Sequence, residues 1–176
     1  DEDTHRELIE LYEKTGKTRD AINQYEEIVR INPKNFSARH TLASLYTKKG
    51  RERDAARHYR IAIKLNPSDK KALSALAHLY IQSRKLESAK KILKELIHID
   101  SKNHEAYREL ARVYDLQGNR LKAIGIYESI VKNHPEDLET HERLAATYEK
   151  NHREKDALRI YEKIAKLDSS NSSLHR

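Results

Sequence analysis

Ten histidines and two His-Glu pairs are the residues of this chain with the most evident reach toward catalysis or metal binding. His104-Glu105 and His141-Glu142 both fall in stretches with helical apolar periodicity, the setting in which a zinc-protease helix carries its first ligand and its general base. That chemistry needs a second His four residues after the first, on the same helix face. Arg108 and Ala145 stand there instead, and no two histidines lie four apart anywhere. The pair best placed to meet in space is His40 with His78, on neighbouring helices. Two imidazoles without a nearby carboxylate make a poor site for a divalent cation. Gly16, Gly50, Gly118 and Gly125 are all the glycines there are, so neither a phosphate loop nor a G-x-S-x-G elbow can be built. The absence of cysteine removes disulfides, thiolate metal sites and cysteine nucleophiles together. The expectation is a chain with no catalytic residue, no metal and no cofactor, whose histidines make polar contacts on a surface or in a groove.

The elements that would position these side chains follow from an internal period. Tyr12, Tyr46, Tyr80, Tyr114 and Tyr148 recur every 34 residues, as do Ala21, Ala55, Ala89, Ala123 and Ala157. Leu8, Leu42, Leu76, Leu110 and Leu144 hold a third column, and Asn35, Asp69, Asn103, Asp137 and Asn171 a polar fourth. Self-similarity at such a period is the mark of stacked supersecondary units. Five units fill residues 2–35, 36–69, 70–103, 104–137 and 138–171 of one domain spanning 1–176, with 172–176 read as the start of a sixth helix or a tail. Each unit reads as two helices, in the second about Ser37–Lys49 and Glu52–Lys64, with apolar residues three and four apart. The Asn/Asp column predicts N-caps for the first helices. Gly16, Gly50 and Gly118 predict left-handed turns after them, and Pro33, Pro67 and Pro135 predict the stop of the second helices. Ala43, Ala55 and Ala62 are small enough to let paired helices approach closely, with tyrosines filling the space beside them.

Leu42-Ala43, Tyr46, Ala55, Tyr59 and Pro67 together resemble the tetratricopeptide repeat, a 34-residue helical hairpin, and the resemblance spans nearly the whole chain. It implies an all-α, right-handed superhelical solenoid of five repeats. Departures are visible. The family's first-helix Trp is replaced by His5, Arg39, Leu73, Tyr107 and His141. Arg84 and His152 take the Gly place, Leu93 an aromatic place, and Ser101 and Ser169 the Pro place. Gly125 sits within a second helix, on a face expected to be exposed, with no packing reason.

The resemblance further implies a non-enzymatic scaffold that holds an extended peptide or partner protein in a concave groove lined by first helices. Carried over place by place, the candidate contacts are Arg6, His40, Thr41, Ser44, Lys48, Lys71, Ser74, His78, Arg108 and Arg112. The first-helix places of the second and third repeats hold no carboxylate, which suits an acidic or hydroxyl-rich segment met by Lys48 and Lys71. A carboxylate clamp of the kind that binds chaperone tails does not fit, because its places hold Arg6, Glu10, Thr41, Lys71 and Ala75.

Charge is uneven along the chain. The formal total is +7, yet residues 1–35 sum to −3 while the second and third repeats carry +5 each. A basic patch that includes Arg51, Arg53, Arg57, Arg60, Lys64, Lys90, Lys91 and Lys94 raises an alternative, binding of nucleic acid or another polyanion. Single strands are held by exposed rings as well as charge, and all ten tyrosines fall in core columns, so a protein partner is the expectation. A second alternative is an engineered scaffold without a native ligand, which the absence of both Cys and Met would fit. Leu158 and Ala165 lack a covering helix, which predicts either a longer array or end-to-end association of copies. No apolar run is long enough to span a membrane and no signal segment opens the chain, so insertion is not expected and a cytoplasmic setting is.

Overall fold

In the computed structural model, the backbone is described from Glu2 to Ser173 and the side chains from Thr4 to Leu167, apart from Arg6 and Glu13. The described residues form ten helices and no strand. They fall into two compact units, residues 1–99 and 100–176. The first holds α1 (Glu2–Lys14), α2 (Thr18–Ile31), α3 (Phe36–Lys48), α4 (Glu52–Leu65), α5 (Lys70–Gln82) and α6 (Leu86–Ile99). The second holds α7 (His104–Leu116), α8 (Arg120–Asn133), α9 (Leu138–Lys150) and α10 (Glu154–Ser173). Consecutive helices pair as hairpins, and hairpins stack through α2 on α3, α4 on α5 and, in the second unit, α8 on α9.

The polar column does what its chemistry predicts. Asn35, Asp69, Asn103 and Asp137 each accept a 3.0 Å bond from the backbone N–H three residues on, satisfying a donor that the helix start leaves open. Asn171, the fifth member, lies inside α10, which continues to Ser173. No separate helix therefore begins at 172, and residues 174–176 lie outside the described range. Ser169 offers none of the proline obstruction present at Pro33, Pro67 and Pro135.

The turns close on the tyrosine column itself. The N–H of Lys17, Arg51, Lys85, Asn119 and Arg153 reaches back to the carbonyl of Tyr12, Tyr46, Tyr80, Tyr114 and Tyr148 at 2.8–3.0 Å. That bond needs a left-handed residue just before its donor. Gly50 adopts φ 71°, and the same turn forces Arg84 and His152 to φ 57°. Because a side chain in this region costs on the order of 1 kcal/mol, Arg84→Gly is expected to stabilise the first unit by about 0.5–1 kcal/mol in urea unfolding. No gain would show that the Arg84 side chain offsets the strain through contacts of its own.

Packing accounts for the remaining columns. Ala43, Ala55 and Ala62 are wholly buried where α3 and α4 meet, as are Ala111, Ala123 and Ala145 in the second unit. Tyr46 and Tyr148 lie beside them and each donates its hydroxyl to a carboxylate of the preceding hairpin, Glu26 and Glu128 respectively. Burial, followed by the bond to Glu26, pushes the Tyr46 hydroxyl up to about 12. Arg51 and Arg153 cover the outer ring faces at 4.4 and 4.5 Å. Two sequence expectations need correcting. Tyr161 is not a core ring but 42% exposed, since no described helix follows α10 to cover it. His58 and His141 are buried rather than superficial: His58 lies against Tyr46 of the partner helix, and His141 Nδ1 is 2.9 Å from the Asp137 carbonyl at the start of its own helix.

Candidate functional site

In the first unit, the candidate residues on α3 and α5 form a polar stripe on each helix. His40, Thr41, Ser44 and Lys48 recur three and four residues apart on α3, while Lys71, Ser74 and His78 do so on α5. All are partly or fully exposed. The helices themselves consume some of this polarity. Thr41 returns its hydroxyl to the Ser37 carbonyl at 3.2 Å, and Thr47 does the same to Ala43 at 2.9 Å. The His40 ring stands edge-on to Tyr59, with centroids 5.6 Å apart, and its Nε2 is buried without a hydrogen-bond partner. A shallow hollow in front of it is bounded by Phe36, Ser37, His40, Asn66, Asp69 and Lys71. Lys48 and Lys71 are exposed and pair with no carboxylate among the described residues. Arg6, the candidate on α1, has its side chain outside the described residues.

The second unit treats its cations differently. Arg108 is held by Glu105, by Asp137 at 3.1 Å and by Glu139 at 3.3 Å. Arg112 pairs with the buried Glu109 at 3.2 Å, Arg143 with Glu139 at 2.8 Å and Lys150 with Asp115 at 2.7 Å. Asp137 thereby caps α9 and anchors Arg108 at once. These groups neutralise one another within the protein. A ligand would have to displace carboxylates to reach Arg108 or Arg112, whereas no carboxylate pairs with Lys48 or Lys71 among the described residues.

Three family models described as tetratricopeptide repeat match residues 6–70, 48–114 and 104–147, joining into unbroken coverage of both units from α1 to α9. The chain is a tetratricopeptide-repeat protein. Solved structures agree on the fold. A crystal structure of MamA is 20% identical, with a TM-score of 0.88 over 98% of this chain and 94% of that one. A MamA structure from Desulfovibrio magneticus RS-1 is 18% identical, with a TM-score of 0.85 over 96% of both chains. A tetratricopeptide-repeat protein from Parabacteroides merdae is 23% identical, with a TM-score of 0.76 over 94% of this chain and 64% of that one. Likeness at this identity establishes the repeat architecture alone. No curated protein matches the sequence.

Within the repeats, one constellation escapes sequence reasoning. His104, the first residue of α7, and His134, just past α8, bring their rings to 3.7 Å between centroids, with Glu136 at 3.5 Å from His134 Nδ1. Among the described residues, no three His, Asp or Glu side chains gather as a metal site would require. The signal that could have found the pair is the repeat itself, since a hairpin's first residue faces the residue thirty places later.

Proposed function

We propose that this tetratricopeptide-repeat protein is a non-enzymatic scaffold that holds an extended acidic or hydroxyl-rich peptide along α3 and α5, with Lys48 and Lys71 as the charged contacts. The observation that carries this reading is the contrast between the two units. The cations of α7 and α9 are committed to internal carboxylates, whereas Lys48 on α3 and Lys71 on α5 pair with none among the described residues. Unpaired lysines keep their charge for an incoming carboxylate, and nearby Ser37, Ser44 and Ser74 offer hydroxyls in reach of an extended backbone. The helical hairpins supply a preformed surface, so little ordering cost falls on the protein side.

Screening the chain against an array of acidic and neutral peptides tests this directly. Acidic peptides are expected to bind, and reversing Lys48 and Lys71 together to Glu is expected to weaken them by about tenfold or more. Binding should also fall with added salt. Unchanged affinity in the reversed variant would remove the charged contacts from the reading. Saturable, weakly salt-dependent binding of random oligonucleotides would favour the basic outer faces of α4 and α6, where Arg53, Arg60, Lys64, Lys91 and Lys94 are unpaired among the described residues. No described helix is long and apolar enough to cross a membrane.

A further inference from the structure

The second helix of the fourth repeat is built unlike its counterparts. At the two places one turn apart on its outer side, the other repeats carry Asn23 and Glu27, Arg57 and Ile61, Lys91 and Glu95, or Arg159 and Lys163. Here stand Gly125 and Ser129. A Cβ added at Gly125 would meet nothing within 4 Å, so the glycine is not required by close packing. Its φ is not left-handed either, and a helix-interior glycine costs about 1 kcal/mol relative to alanine.

What the two small residues create is a cleft of about 360 Å³ between α7 and α8. Ile126 and Ile130 form its floor, and Tyr107, His104 and His134 supply three rings around it. Ser101, Ser129 and Asn133 bring polar groups to the edge. Asn133 is oriented by its own bond to the Ser129 carbonyl at 3.0 Å. An apolar floor, ring-bearing walls and a polar edge match a flat ring with a hydrogen-bonding group on its rim, and the volume lies at the small end of the roughly 300–1,000 Å³ range of ligand clefts.

We propose that this cleft is a second binding site, which seats a tyrosine or tryptophan side chain of a partner polypeptide. It shares no residue with the α3–α5 stripe, so it stands whether or not Lys48 and Lys71 bind an acidic peptide. The ring would rest on Ile126 and Ile130 against Tyr107, with its O–H or N–H turned to the Ser101, Ser129 and Asn133 edge. Long side chains at places 125 and 129, of the types the other repeats carry there, would cover the floor.

Titration of the isotopically labelled chain with N-acetyl-tryptophanamide and N-acetyl-tyrosinamide, followed by amide and imidazole chemical shifts, tests the site. Saturable shifts confined to Gly125, Ser129, Asn133, His104 and His134 are expected, with N-acetyl-leucinamide markedly weaker. The double variant Gly125→Arg and Ser129→Glu introduces residue types already used at these places and suits a helix, so the fold is retained. It is expected to lower affinity for the aromatic probes by about tenfold. The Lys48→Glu and Lys71→Glu variant should leave these shifts unchanged, which separates the two sites. Shifts that do not saturate, that fall elsewhere, that the leucine probe reproduces equally, or that survive the filled cleft would overturn the proposal.

Discussion

Leu76→Ala is expected to destabilise the first unit by about 3 kcal/mol, while Leu8→Ala, the same change in the same column, costs about 1 kcal/mol. Leu76 is fully buried in α5, a helix packed between α4 and α6. Removing three carbons there leaves a void that surrounding Ala and Leu side chains cannot collapse to fill. Leu8 lies on α1, packed chiefly on α2, and is already part-exposed. Equilibrium unfolding in urea measures both. A solenoid's stability is close to a sum of nearest-neighbour terms, so cost should follow how many hairpins flank a residue rather than its identity. Equal losses at the two positions would refute that view of the fold.

His58 gives the second large effect. It is only 6% exposed, its ring lies against Tyr46 at 5.6 Å between centroids, and its Nδ1 is buried without a partner. Burial, reinforced by the positive charges of Arg57 and Arg39, holds the imidazole down at about 4 against an ordinary 6.5, outweighing the opposing pull of Asp54 and Glu26. The folded chain therefore keeps His58 neutral where the unfolded chain takes up a proton. Its contribution is complete above pH 6.5 and is lost as pH falls from there to about 4, a total of about 3 kcal/mol. His58→Ile, the residue at the matching places 92, 126 and 160, should flatten this part of the stability profile and add about 1 kcal/mol at pH 7 by deleting an orphaned polar atom. Melts across pH 4–7 decide it. An identical acid slope in the variant would show that other groups carry the loss.

The architecture was legible because the forces that set it act at fixed spacing. Alanine at a helix crossing, tyrosine beside it and a capping Asn or Asp each recur every 34 residues, and each is visible without neighbours. Arg84 and His152 in glycine places also announced their left-handed backbone correctly. The candidate site was legible only in part. That Arg108 is neutralised rests on Glu105, on Glu139 and on Asp137 meeting it while also capping α9, a convergence of side chains that no spacing encodes. The His104–His134 contact follows from the repeat's geometry, but histidine recurs at neither place, so no column of like residues drew the eye to it. Burial of His58 was missed because histidine is polar by type, whereas place 58 is apolar by position. The exposure of Tyr161 has the opposite cause, an apolar column whose covering helix is not among the described residues. Gly125 looked like an unexplained defect until Ser129 and three rings appeared around the same hollow.

The hydroxyl-to-carboxylate link from one hairpin to the next also has a mechanical side. It joins α2 to α3 through Glu26 and α8 to α9 through Glu128, but at the α4–α5 seam the corresponding place holds Arg60, which cannot accept a proton from Tyr80. Within the first unit the α4–α5 seam, which lies between Lys48 and Lys71, therefore lacks a tie that the α2–α3 seam has.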